Sequence, residues 1–195
     1  MNTIEYAKVL ERYPSVWSWV QHFRDNFPQV SPLTYWVAGG AVRNAFEGHQ
    51  QPQKDVDFYC RSTEHAERLG FLLARQGWYP SHSSQYSETF VHERLPYKAQ
   101  IVNHTYKSIE DCLAHMDWTV AQCAYAEDRF YFGDWTLQDL DSKKLRVNQL
   151  QPPGNLIPRL VKYVQYGYSP DQETMSEISH SIQSSKISYT RRYLY

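Results

Sequence analysis

The chain has 195 residues, with 20 Lys+Arg against 21 Asp+Glu and 15% aromatic residues. That composition excludes an intrinsically disordered chain, which combines few aromatics with high net charge. It also excludes a global basic field for nucleic acid, so any such site must be a local patch.

The start, "MNTIEYAKVLERYPS", is amphipathic and charged, and no long apolar run follows. The expectation is a soluble cytoplasmic protein with no membrane partner. "IEYAKVLERY" and "SVWSWVQHFRDNF" have helical spacing, with Trp17, Val20 and Phe23 at three-residue steps. "TYWVA" (34–38) reads as a short strand. Gly39-Gly40 turns it into a short helix stopped near Gly48, and "DVDFYC" (55–60) is the next strand. "STEHAERLGFLLARQGW" is a helix capped by Ser62 or Thr63, with an apolar face through Ala66, Leu69, Leu72 and Leu73. Two alternating stretches follow, then a helix over 108–116. "DWTVAQCAYAEDRFYFG" reads as two strands joined at Glu127-Asp128. "TLQDLDSKK" is a short helix, "LRVNQL" a short strand, and a helix from Asn155 or Pro158 ends near Tyr166 with Gly167 as its cap. "QETMSEISHSIQSSK" is a last helix. Mixed elements of this kind give an α/β (α+β) class around one mixed sheet.

Two features of residues 35–60 carry chemistry. Residues i and i+2 of a strand share a face, so Asp55 and Asp57 project together while Val56 points away. Two adjacent carboxylates repel unless a cation lies between them, and such hard oxygen ligands suit Mg²⁺ or Mn²⁺. The strand–Gly–Gly–helix junction presents backbone N–H groups to a phosphate. Each feature alone is ordinary, a tight turn or a solvated strand end; together they suggest a nucleoside triphosphate site for metal-assisted phosphoryl or nucleotidyl transfer. No P-loop or G-x-G-x-x-G pattern is present. The eight histidines form no H-E-x-x-H pair, and the three cysteines (Cys60, Cys112, Cys123) lack metal spacing and read as reduced core thiols.

At these residues the sequence resembles the head domain of the DNA polymerase β superfamily of nucleotidyltransferases, and most closely the bacterial-type tRNA CCA-adding enzymes and poly(A) polymerases. The resemblance rests on "GGAVRNAFEG…KDVDFY" and continues in order through "MDWTVAQCAY", "WTLQDLDSKKLRV" and "RLVKYVQYGYSPDQET", spanning roughly residues 35–174. It implies that Gly39 and Gly40 hold the triphosphate with Arg43 nearby, and that Asp55 and Asp57 ligate two Mg²⁺ (or Mn²⁺) ions. Asp117 is the candidate third carboxylate, Thr119 matches a ribose-side segment, and Arg159 matches an arginine facing the incoming base. Lys54 and Lys162 join this nucleotide-binding set.

Several positions depart from the family pattern. Asn44 replaces an Asp, a change expected to affect structure more than chemistry. Gln100 stands where relatives often carry a carboxylate, His115 and Met116 replace two arginines, and Asn155 and Leu156 replace the acids of the base selector. The expected layout is a nucleotidyltransferase head (1–150), a neck-like helical segment (151–185) and a tail (186–195). In the tail, Lys186, Arg191 and Arg192 lie among Tyr189, Tyr193 and Tyr195. The implied reaction moves a nucleoside monophosphate from an NTP to an acceptor hydroxyl, first an RNA 3′ end. The alternatives are a protein or small-molecule acceptor, or a nucleotide- or RNA-binding regulator without catalysis.

Overall fold

Eight strands form one mixed sheet in the order β1-β8-β7-β2-β3-β6-β5-β4. The structure, a computed structural model, describes residues 1–189. The strands are β1 (Asn2–Glu5), β2 (Tyr35–Ala38), β3 (Asp55–Cys60), β4 (Trp78–Ser83), β5 (Ser87–His92), β6 (Lys98–Thr105), β7 (Cys123–Ala126) and β8 (Arg129–Phe132). Neighbours run antiparallel except β3 and β6, which are parallel. That one parallel step requires a crossover, and the chain makes it through α4 (Thr63–Arg75) and the β4–β5 hairpin. The α/β (α+β) class expected from the sequence is the class observed.

Local chemistry explains some element ends. Ser62 Oγ accepts from the His65 N–H at 3.3 Å and caps α4. Ser108 does the same for α5 (Ile109–Ala114), accepting from the Asp111 N–H at 3.2 Å. Glu127 and Asp128 take φ of 46° and 58°, the left-handed pair that a two-residue hairpin between β7 and β8 requires. Helix α2 (Val16–Asn26) buries Val16, Trp19, Val20 and Phe23 on the sheet. Phe23 stacks on Phe27, and Phe27 on Trp78.

The structure corrects several expectations. Trp17 lies on the outer side of α2 and is 53% exposed, so the buried stripe begins at Val16 instead. The helix expected from Ile4 starts later, as α1 (Tyr6–Arg12), because residues 2–5 pair with β8, Ile4 opposite Phe130. A strand expected from Asp117 is instead a loop and a single 3₁₀ turn, Thr119–Ala121, and the strand begins at Cys123.

Beyond the sheet, α6 (Thr136–Ser142), β9 (Lys144–Leu145), α7 (Pro153–Gln165), β10 (Ser169–Pro170) and α8 (Gln172–Tyr189) gather around a second apolar cluster. Trp118, Leu140, Leu145, Leu156, Tyr163 and Tyr168 are buried there. The predicted tail begins within the α8 backbone; Arg191, Arg192, Tyr193 and Tyr195 lie outside the described residues. Among the described residues no helix is long and apolar enough to cross a membrane.

Candidate active site

Strand β3 alternates cleanly: Val56, Phe58 and Cys60 are buried in the core, and Asp55, Asp57 and Tyr59 face the other way, half-buried. The two carboxylates therefore share a face, as the i, i+2 spacing requires. Burial, and then the neighbouring Asp55 charge, push the Asp57 carboxyl up to about 6, against the opposing pull of Lys162 and Arg159. A bound cation would relieve this resistance to ionisation at Asp57. The pair opens into a cleft of about 530 Å³ whose lining includes Gly40, Arg43, Lys54, Asp55, Asp57 and Lys162. Hard oxygen donors, an open approach and adjacent cations fit a divalent ion carrying a polyphosphate.

The carboxylate set stops at two. Among the described residues no group of three or more His, Cys, Asp or Glu side chains is placed to hold a metal. On the neighbouring strand the residue in register with Asp57 is Gln100, whose amide donates to Thr89 Oγ1 at 3.4 Å. Asp117, the expected third carboxylate, is instead engaged by Arg159. Nη2 of Arg159 donates to Oδ1 at 2.8 Å and its Nε lies against Oδ2. Burial raises the Asp117 carboxyl, and Arg159 offsets this only in part.

The glycine turn divides its labour. Gly39 adopts φ 76°, ψ −132°, a conformation that L side chains rarely take. Its N–H donates to the Cys123 carbonyl at 2.8 Å, which locks the turn to β7 and removes that N–H from any phosphate. Of the two glycines expected to hold the triphosphate, Gly39 therefore has its own N–H engaged within the fold. Gly40 opens α3 (Gly40–Phe46) on the cleft wall, with nothing within 4 Å of where a Cβ would stand. The first-turn N–H groups of α3 have no intrahelical acceptors, and the space over Gly40 lets a ligand reach them.

Arg43 lines the cleft, with two of its donors already engaged. Nε bonds Glu47 at 3.0 Å, Nη2 bonds Asn44 at 3.1 Å, and the guanidinium sits 5.1 Å from the centroids of both Tyr163 and Tyr166. Asn44, where the resemblance expects Asp, serves as this acceptor. Glu47 also accepts from Lys143 Nζ at 2.5 Å and from the Tyr168 hydroxyl at 2.8 Å. Burial pushes Glu47 up, but Lys143, Arg43 and Tyr168 outweigh it and hold the acid below its ordinary value. Arg43 and Glu47 thereby clamp α3 against α7. Sequence reasoning missed Glu47, Lys143, Gln165 and Tyr166 on the cleft wall, although all four lie inside the segments that carry the resemblance.

Thr119 lies at a second cleft. It is buried, its hydroxyl donates to Asp139 at 2.6 Å, and Asp139 in turn accepts from Arg146 Nε at 3.1 Å. Its exposed edge belongs to a different cleft, of about 490 Å³, beside Trp135 and Arg146.

A family model described as "Gabija anti-defense 2 family protein" matches residues 13–143. The chain belongs to the Gabija anti-defense 2 family. No curated protein matches it. Solved structures similar to this family member include a CCA-adding enzyme with CTP, at TM-score 0.65 and 16% identity, covering 95% of this chain and 46% of that one. The Thermotoga maritima CCA-adding enzyme complexed with tRNA is similar at TM-score 0.63 and 15% identity, covering 95% and 47%. A tRNA nucleotidyltransferase complexed with a primer tRNA and an incoming ATP analogue is similar at TM-score 0.58 and 18% identity, covering 78% and 47%. This Gabija anti-defense 2 family chain therefore has a polymerase-β-like nucleotidyltransferase fold, and it spans about half the length of these structures.

Proposed function

We propose that this chain is a metal-dependent nucleotidyltransferase that moves a nucleoside monophosphate from an NTP to an acceptor hydroxyl and releases pyrophosphate. One observation carries the reading: Asp55 and Asp57 open together into a cleft that also presents Lys54, Lys162 and the open backbone at Gly40. Asp55 and Asp57 would hold two divalent ions, Mg²⁺ or Mn²⁺, whose chemistry when bound is to acidify the attacking hydroxyl and neutralise the leaving pyrophosphate. Lys54, Lys143 and Lys162 offset the charge of the polyphosphate. Tyr166, on the cleft wall, offers a face for the base. In this reading residues 1–150 form the catalytic head and 151–185 the neck that closes its cleft.

Two acceptor classes have support. The solved neighbours bound to tRNA favour an RNA 3′ end. The anti-defence description of the family favours a component of the Gabija defence as the target. A second reading, a nucleotide-binding regulator without catalysis, is favoured by Gln100 in register with Asp57.

The test is pyrophosphate release and label transfer from α-labelled NTPs, with Mg²⁺ or with EDTA, in the presence of cell extract. Mg²⁺-dependent transfer that is lost in Asp57→Ala supports the reading. NTP binding with no transfer into any fraction overturns it in favour of the regulator.

A further inference from the structure

The two sides of the aspartate pair differ in charge. Toward α3 and α7 lie Arg43, Lys54, Lys143 and Lys162, the cations of the cleft. On the other side the sheet continues outward through β6, β5 and β4. The register places Asp57, Gln100, Thr89 and His82 in one row across four strands. Directly opposed residues of adjacent strands share a face, so this row continues the surface that carries Asp57. Parallel rows add Val102 on β6, and Val91 opposite Tyr79 on β5 and β4. The opposite face is the one that α4 covers: a Cβ on Gly70 would stand 3.5 Å from Phe90 and 3.8 Å from Ile101.

This outward face is poor in charge, and Thr89 in the middle of its row is buried. Tyr79 is 53% exposed, and Gln100, Val102 and Val91 are half-buried. On this face of β4, β5 and β6 Lys98, in register with Asp55, is the one Lys, Arg, Asp or Glu, with His82 and His104 beside it. From β3 to β4 the surface extends roughly 14 Å, at about 4.8 Å per strand.

From this asymmetry we infer that the acceptor is a protein, which docks on the exposed face of β6–β5–β4 and presents a Ser, Thr or Tyr hydroxyl to the site at Asp57. The inference rests on the nucleotidyl-transfer reading. The cations mark where the NTP polyphosphate lies, so the acceptor must approach from the neutral side. An RNA end brings a phosphate with every nucleotide, and proteins meet these with Lys and Arg; this face supplies Lys98. Small molecules take concave, enclosing pockets, whereas this surface is the outward face of three adjoining strands. A neutral face with an exposed tyrosine and flanking valines matches the composition of protein interfaces. In the reaction the acceptor oxygen bonds to the α-phosphorus, the bond from that phosphorus to the bridging oxygen of pyrophosphate breaks, pyrophosphate leaves, and the hydroxyl proton passes to solvent.

The test uses the full chain, α-labelled NTP and Mg²⁺ with three separate pools from one bacterial extract: nuclease-treated protein, purified RNA, and the low-mass filtrate. Expected is protease-sensitive, nuclease-resistant label in the protein pool, with a nucleoside monophosphate adduct on Ser, Thr or Tyr by mass spectrometry. Tyr79→Ala and Val102→Glu should each reduce that label about tenfold while NTP binding is unchanged; Tyr79→Ala guards against misfolding of the half-buried variant. Label in RNA or in the filtrate overturns the protein acceptor and leaves nucleotidyl transfer standing. Protein label unaffected by either variant overturns the docking face. No label in any pool overturns both this inference and the reading beneath it.

Discussion

Arg159 of α7 is bound to Asp117, two residues past the His115 C-cap of α5, by a charge-assisted hydrogen bond of 2.8 Å and a second nitrogen–oxygen contact. The pair ties the helical segment to the sheet layer within reach of Asp57, whose carboxyl feels the Arg159 charge. The arginine that the resemblance sets against the incoming base therefore already has a partner. Asp117→Asn should lower stability by about 1 to 2 kcal/mol, less than a fully buried pair because Arg159 is half-exposed. It should also change the ratio of KM values among the four NTPs. Denaturant unfolding and NTP titration read the two effects; unchanged stability would contradict the tie.

Asp57 gives a pH prediction with a definite sign. Without metal its carboxyl lies at about 6, above the ordinary 3.8. The folded state then holds the proton more tightly than the unfolded state, so this group favours folding at low pH. That contribution falls away as pH rises from about 4 through about 6, by on the order of 2 kcal/mol. Asp57→Asn should flatten the fall in EDTA and raise Tm at neutral pH. Mg²⁺ should stabilise the native protein above about pH 6 but not the variant. Equal Mg²⁺ shifts in the two would remove Asp57 from the metal site.

The paired glycines should respond differently to alanine. Gly39→Ala forces a side chain into φ 76° and should cost about 1 to 2 kcal/mol. Gly40→Ala meets nothing within 4 Å and should fold normally. Its methyl stands over the cleft wall, so KM for NTP should rise by about tenfold while Tm holds. The reverse pattern would misplace the nucleotide.

Glu47 joins Arg43, Lys143 and Tyr168. Glu47→Ala leaves the buried Arg43 guanidinium without its carboxylate and should cost about 3 kcal/mol in urea unfolding. Because the acid is held below its ordinary value, its contribution is present above about pH 4.5 and is lost as pH falls further. A wild-type-like unfolding midpoint would show that the clamp contributes little.

The sequence made local chemistry legible and long-range partners much less so. The i, i+2 aspartates and the glycine turn were visible because strand period and backbone conformation are local properties. The fate of Asp117 and Thr119 was not, because each is decided by a side chain distant in the chain: Arg159 and Asp139 respectively. Trp17 followed helical spacing, but spacing alone does not say which side of the stripe meets the sheet. Residues 2–5 pair with a strand far along the chain, and nothing local announces it.

The single parallel step between β3 and β6 bears on how the molecule comes to exist. Asp57 and Gln100 become neighbours only after α4 and the β4–β5 hairpin have been threaded between them. Local hairpins such as β7–β8 close quickly, whereas a parallel crossover carries a larger loop-closure cost before any contact rewards it. The face bearing the carboxylate pair thus depends on a pairing between residues far apart in the chain, unlike the β7–β8 hairpin.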